Sequence, residues 1–363
     1  MHIKDMTAFL VLRDLFVVTD GYTASEGGTV TVRAGDGKLR LRTSSSGCCL
    51  EAVLQGDADE TLAKPLTVAR KALTAVALRG SSATISQKKG QLLVSSGSSR
   101  YRLPVQATKR QGRFPDLSNT KPVVINAAIL KAALQSTHFG HDETGTKDVR
   151  ISIRKGTLTV DTADAFRAAV YQERMPEVEN EIETVLQHAS LLKTVSAFET
   201  DDLWIRANDR SCSLSNTSTA IWLPVVGARQ YHTLTQLAKA RERYRTQAKV
   251  VVSTTDIRDA IKDAVAVLES KSRVPVEFQV RDSKLYITTH GELGTHEARM
   301  GVESVVGHVS FATFPSYVRV MATLAAKAGD RCEIEVLGDR VVLFSVRGQS
   351  VRTLYLFSQR QQG

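Results

Sequence analysis

The sequence predicts an α+β protein of three tandem domains, each made of two strand-helix-three-strand units with antiparallel sheets. Tyr101-Arg-Leu-Pro-Val105 recurs as Ile221-Trp-Leu-Pro-Val225, and the Leu-Pro pair is displaced by 120 positions, about a third of the 363-residue chain. That interval is too long for a solenoid repeat and suits copies of one globular domain. Within each third, a short apolar run, a helix-periodic run and three alternating runs follow one another twice. With one helix per three or four strands, the helices are too few to cover both faces of a sheet, which points to antiparallel sheets. The predicted domains are residues 1–119, 120–245 and 246–363.

In the first third, helices are expected near Met6–Val18 and Ala69–Leu78, with a turn at Gly35-Asp-Gly37 between strands. The middle third is the clearest. Pro122–Ile125 reads as a strand, Asn126 as an N-cap, and Ile129, Leu130, Ala133 and Leu134 as the buried stripe of a helix. Asp148–Ile153 and Thr157–Val160 then alternate around a Lys155-Gly156 turn, and Arg167–Tyr171 forms the third strand. The order repeats with a strand at Thr184–Leu186, a helix over Ser190–Phe198 and strands around Leu203–Ile205, Ser211–Leu214 and Ala220–Leu223. In the last third, helices are expected over Asp256–Leu268 and Ser316–Ala328, turns at Arg281-Asp-Ser283 and Gly338-Asp339, and a final strand at Thr353–Phe357.

Charged residues make up 24% of the chain and the apolar set 42%, values that fit folded domains and exclude a disordered chain. No run approaches eighteen apolar residues and the start, Met1-His-Ile-Lys-Asp-Met, has no leader pattern, so a cytoplasmic protein without a membrane span is expected. The four cysteines have neither metal-ligand spacing nor the density of a disulfide scaffold, and reduced structural thiols are expected. His138, His141, Asp142 and Glu143 read as a polar loop after a helix, and Gly140–Lys147 as a poor match to a phosphate loop. No metal, cofactor or catalytic group is predicted. The formal charge of +10 makes nucleic acid the first partner to consider, ahead of an anionic membrane.

Placing each helix's apolar stripe on its sheet leaves a polar stripe that carries a cation. These are Arg13, then Arg70 with Lys71, Lys131, Lys193, Arg258 with Lys262, and Arg319 with Lys327. One charged helix face usually means only solvation. Equivalent faces of the same sign argue for a polyanion, although Asp14, Asp259 and Asp263 interrupt the pattern.

Several stretches together resemble the bacterial DNA polymerase III sliding clamp, the beta subunit. They are Leu66-Thr-Val-Ala-Arg-Lys71, Leu93–Leu103, Arg113-Phe-Pro-Asp-Leu117, Asp148-Val-Arg150, Ala165-Phe-Arg-Ala-Ala-Val170 and Phe314-Pro-Ser-Tyr-Val318. The resemblance spans nearly the whole chain and rests on order, length and the internal repeat. It implies a head-to-tail homodimer closing as a ring whose helices face double-stranded DNA, held by sequence-independent phosphate attraction. It further implies DNA polymerase and a clamp loader as partners and no enzyme activity. The cations above would then be the DNA-binding residues. By position, Tyr101 and Leu103 resemble one side of the dimer interface and Val267 and Leu268 the other, the alternative being that they are intradomain core.

The partner-peptide pocket of that family departs most. Its Gly-His-Arg-Leu stretch corresponds here to Ala165-Phe166-Arg167-Ala168, and the stretch before the third domain reads Gly227–His232. Arg150, Ile153, Phe166, Arg167, Leu354 and Leu356 match pocket positions in kind, so a shallower, more apolar cleft is expected, with Arg167 at its rim. Residues 227–249 form an unusually basic connection that contains Arg229, Lys239, Arg241, Arg243, Arg245 and Lys249. Such departures leave open a rival reading, a clamp-fold scaffold that no longer encircles DNA, and a weaker one, a monomeric basic DNA-binding module.

Overall fold

Tight turns set the sheet register. Asp36-Gly37, Lys89-Gly90, Lys155-Gly156 and Asp282-Ser283 each have φ between 47° and 71° at both residues, the conformation of a two-residue type I′ hairpin. They join β2 (Thr29–Gly35) to β3 (Lys38–Ser44), β6 (Ala83–Lys88) to β7 (Gln91–Ser96), β10 (Asp148–Arg154) to β11 (Thr157–Ala163), and β18 (Val276–Arg281) to β19 (Lys284–Gly291). Each hairpin gains a third antiparallel strand: β4 (Cys49–Gln55), β8 (Ser99–Gln106), β12 (Arg167–Arg174) and β20 (Gly294–Gly301) respectively. Two further meanders are β14 (Asp202–Ala207), β15 (Ser211–Ser215) and β16 (Thr219–Pro224), then β23 (Arg331–Leu337), β24 (Val341–Arg347) and β25 (Val351–Ser358). The computed structural model describes residues 2–3, 15, 28–44, 48–56, 60–76, 82–107, 114–138, 148–163, 167–198, 202–226, 242–269, 272–319, 329–338 and 341–358.

Six meanders therefore match the six predicted units, and each is preceded by a leading strand. These are β1 (His2–Ile3), β5 (Leu66–Ala69), β9 (Val123–Asn126), β13 (Ile182–Gln187), β17 (Thr246–Ser253) and β22 (Ser310–Thr313). Each forms its main pairing outside the meander that follows it, and β5 alone also touches its own, through two residues of β8. β1 pairs with β6 and β5 with β2, β9 with β14 and β13 with β10, β17 with β23 and β22 with β18. Neighbouring units thus exchange their leading strands three times over, so neither half of a pair has a complete sheet alone. A short strand β21 (Ser304–Val306) adds to β17 as an edge.

Third strands pair across the predicted domain boundaries. β4 pairs with β16, and β12 with β25, both antiparallel. As a result residues 1–130 with 189–227 make one compact unit, around a twelve-stranded sheet, and residues 131–188 with 228–363 make another, with sheets of nine and four strands. Residues 120–245 contribute strands to both units. β8 meets β5 only through Val105 and Gln106, and β20 pairs only with β19, so among the described residues Ser99–Pro104 of β8 and the whole of β20 keep one unpaired side.

Helices follow the leading strands directly. Among the described residues they are α1 (Arg70–Thr74), α2 (Ala127–Ser136), α3 (His188–Ala197), α4 (Thr254–Ala266) and α5 (Pro315–Arg319). Asn126 caps α2 as expected, its Oδ1 accepting from the Ala128 N–H at 2.9 Å, and Ser253 Oγ accepts from Asp256 N–H ahead of α4. Ala127, Leu130, Ala133 and Leu134 of α2, and Ile257, Ala260, Ile261 and Ala264 of α4, are buried at helical spacing. α1 is shorter than predicted. The expected Met6–Val18 helix lies outside the described residues apart from Leu15, as does Ser316–Ala328 beyond Arg319. All four cysteines are free and buried, and burial pushes the Cys48 and Cys332 thiols up to about 12, so they are unreactive.

Candidate nucleic-acid and assembly surfaces

The helix cations divide into two kinds. Lys71 of α1 and Lys193 of α3 are exposed and Lys131 of α2 is half-buried, and none of these helices has an acidic residue. α4 differs. Asp259 pairs with both its cations, at 3.0 Å to Arg258 Nε and 3.8 Å to Lys262 Nζ, and the Arg258 hydrogen bond holds its carboxyl below the ordinary range. Exposed Asp256 and Asp263 bring the acids of this helix to three against two cations. Arg70 corrects its expectation: it is 3% exposed, its guanidinium lies against Gly28, where an added Cβ would sit 2.8 Å from Cζ, and burial lowers its pKa. A side chain so placed braces the fold and is not part of an exposed stripe. Arg13, Lys327 and the side chain of Arg319 lie outside the described residues.

The interface candidates are also sorted by burial. On β8, alternation exposes Arg100 and Arg102 and leaves Tyr101 half-buried, while Leu103 is 7% exposed opposite Leu92. Leu268 is 5% exposed and packs against Gly291, where an added Cβ would be 2.9 Å from its Cδ2 and 2.1 Å from Val267 O. Leu103 and Leu268 are therefore core residues in the chain itself, and this is the alternative the sequence left open. The tip of the β19–β20 hairpin docks on the end of α4. Val267 O accepts from Leu293 N–H at 3.1 Å, and the Glu292 carboxylate accepts from Glu269 N–H at 3.3 Å and Ser272 Oγ at 2.7 Å. Beside half-buried Val267, Leu293 stands 67% exposed, an apolar group that sequence reasoning missed because Gly291-Glu-Leu-Gly294 reads only as a turn.

The pocket candidates converge in part. Leu354 joins Val170, Leu337 and Leu343 in a buried cluster, against which half-buried Leu356, Tyr244 and Val341 pack. Leu337, Val341 and Leu343 were missed as members of this cluster, since only strand pairing brings them beside β25, and so was Tyr244, which packs there from just before β17. Ile153 is fully buried and Arg150 is pinned by Asp161, at 2.9 Å, and Glu183, at 3.4 Å, so neither lines an open cleft. Arg167 corrects its expectation as well. It is 3% exposed, lies over the Tyr317 ring at 5.4 Å and donates to Ser316 O, tying β12 to α5. Phe166 lies outside the described residues, as do residues 227–241 of the basic connection and His141, Asp142 and Glu143. His138 stacks on His188 at 4.7 Å, and the described residues hold no metal-ligand cluster.

This strand arrangement is that of known solved structures along the whole chain. A putative DNA polymerase III beta subunit from Eubacterium rectale superposes with a TM-score of 0.83 at 11% identity, covering 99% of each chain. The chain has the sliding-clamp fold. The DNA polymerase sliding clamp from Bacillus subtilis gives 0.79 at 13% identity over 100% of this chain and 99% of that one, and the beta subunit from Thermotoga maritima gives 0.75 at 16% over 100% of both. No protein-family model matches the chain, and no curated protein matches it in sequence. The clamp fold is thus kept at identities too low to carry residue roles across. No helix among the described residues is long and apolar enough to cross a membrane.

Proposed function

We propose that the chain is a sliding clamp, a homodimeric ring of three clamp domains per copy (1–119, 120–245 and 246–363) that encircles double-stranded DNA and tethers a DNA polymerase. The observation that carries this reading is the fate of the third strands. Within the chain β4 pairs with β16 and β12 with β25, whereas among the described residues Ser99–Pro104 of β8 pairs only with β7 and β20 pairs only with β19. A second copy, head to tail, supplies β20 to β8 and β8 to β20, repeating a pairing the chain already uses and covering two edges that would otherwise invite aggregation. Arg100 and Arg102 on β8, and Val267 with Leu293 beside β20, are the side chains available there.

In this ring the protein performs no chemistry. Lys71, Lys131 and Lys193 attract phosphates without reading bases, closure prevents sideways loss, and a loader opens the ring. The Leu354 cluster, rimmed by Tyr244 and Leu356, takes an apolar partner peptide. The acidic balance of α4 favours a second reading, a clamp-fold scaffold that has given up DNA. Retention separates the two: a clamp of twice the chain mass, loaded on circular duplex, stays on the circle and runs off once it is cut. A monomer, or loss from the intact circle at the same rate as from the cut one, overturns the ring.

A further inference from the structure

The outer face of the first unit's sheet carries a feature that neither ring closure nor a helix-lined hole uses. β2 presents Arg33 and β3 presents Lys38, Arg40 and Arg42 to the side opposite the buried Val32, Leu39 and Leu41. Arg33 and Arg40 are direct cross-strand partners, an arrangement of like charges that destabilises a sheet. Glu51 is the only carboxylate beside them on β4, shared by Arg40 at 3.6 Å and by Arg42. Further along the same face stand the chain's two tryptophans, Trp222 on β16 and Trp204 on β14, both half-buried by strand alternation. One strand, β15, separates them and Trp204 is offset by two residues from the position level with Trp222, which places them about 12 Å apart by strand spacing and rise.

One of the two indoles, Trp222, is held at its edge and has a cation close by. Phe114 meets the Trp222 ring edge-on at 5.1 Å and is itself covered by Arg42 at 5.1 Å. Val124, opposite Trp204, is 41% exposed. Arg206 is occupied in donating to Leu117 O and Thr120 O, so the segment 117–120 borders the face, and Asp202 is engaged by Asn126. The fold places a cluster of like charges and two indoles on one sheet face. Among the described residues Glu51 is the one carboxylate ion-paired with these four cations, so the cluster keeps positive charge that a ligand could neutralise.

We propose that this face, from Arg33 to Trp204, binds single-stranded nucleic acid. Its phosphates lie along Arg33, Lys38, Arg40 and Arg42, and unstacked bases rest on the indoles, a division of labour suited to a flexible strand and not to a stiff duplex. Such binding does not require ring closure or occupancy of the hole, so it stands or falls apart from the clamp reading.

Because both tryptophans lie on the face, intrinsic fluorescence reports the test directly. A linear twelve-nucleotide oligothymidylate, too short to be retained by a ring, is titrated into the full chain at low and high salt. Quenching is expected, with affinity falling with salt at a slope of about −0.7 per phosphate contact. Arg33→Gln with Arg40→Gln flattens that slope by about 1.4. Lysine at both positions restores it. Trp204→Leu leaves the slope and weakens binding at least about fivefold. Unchanged thermal midpoints show that the exposed substitutions spare the fold. Two results overturn the proposal: no quenching at tens of micromolar oligonucleotide in low salt, or equal binding of an acidic polypeptide with no effect of Trp204→Leu. The second would mark a docking face for an acidic protein.

Discussion

The two surfaces proposed to mate in the ring, β8 and the end of α4, became exposed in different ways. On β8 a two-residue period sends Leu103 inward and Arg100 and Arg102 outward, so exposure is written locally in the strand. At the end of α4 the residues beside each other in sequence, Val267 and Leu268, are largely covered by a hairpin tip from about 25 positions later. The apolar group left outside there, Leu293, belongs to the cover. An apolar residue at a helix end is therefore no guide to an interface until the segment packed over it is known.

The largest effect that would break this comparison is Leu268→Lys. A buried ammonium forced against Gly291, where the Glu292 carboxylate of the tip is already engaged by Glu269 N–H and Ser272 Oγ, should cost about 3–5 kcal/mol of stability. The second unit should melt early in calorimetry. A variant that keeps its thermal midpoint and only dissociates would return Leu268 to the interface and reverse the assignment of Leu293.

Acid supplies the next largest effect, and it acts on the same unit away from both edges. His188 is buried, with Nε2 2.9 Å from Leu134 O, and its pKa is lowered to about 4 by burial first and by His138 second, against the Leu134 carbonyl. Between that value and the ordinary 6.5 the unfolded chain binds a proton that the folded chain refuses. Stability is thus full above the ordinary value and lost as pH falls toward about 4, by up to about 3 kcal/mol. Denaturant midpoints measured across this window should fall, and His188→Gln, which can still donate to Leu134 O, should flatten the fall. A pH-independent midpoint would mean that His188 is not held neutral by the fold.

How much could be read in advance follows the same division between local and distant causes. Lys155-Gly156 and Asp36-Gly37 announced their hairpins because a turn's conformation is fixed by its own residues, and Asn126 announced its helix because a cap acts two residues away. Alternation in Asp148–Arg154 was equally plain. The exchange of leading strands was not legible, since an alternating strand carries no label for its partner, and β9 fits β10 as well as β14 on pattern alone. Arg70 and Arg167 were misread for a related reason: a guanidinium in a polar position looks solvated until Gly28 or the Tyr317 ring is brought over it.

The interface itself gives the third effect. Leu293→Asp places a charge on an exposed tip, so the fold should be unaffected while association, which would bury it, weakens by roughly 1–3 kcal/mol. Sedimentation across a concentration series reads the shift. Arg100→Glu with Arg102→Glu on β8 should weaken the dimer from the other side, and if the two surfaces meet, their effects should not add. Strict additivity would place Leu293 and β8 in separate contacts, leaving β20 without its proposed partner.

The smallest effect separates the two kinds of helix face. Lys131 and Lys193 stand on helices with no acid, so each should release about one counterion when DNA passes, and Lys131→Gln with Lys193→Gln should reduce the salt slope of duplex binding by about 1.8. Arg258 and Lys262 already share Asp259, and removing them also leaves Asp256 and Asp263 unopposed. Their loss should hardly change the slope, because a cation paired with a carboxylate has few condensed counterions to displace, though overall affinity drops through the added repulsion. Salt titrations on the same linear duplex distinguish slope from intercept. If the α4 pair proves to carry the slope and the lone lysines do not, duplex DNA runs along α4, and Asp259 is displaced from both cations on binding.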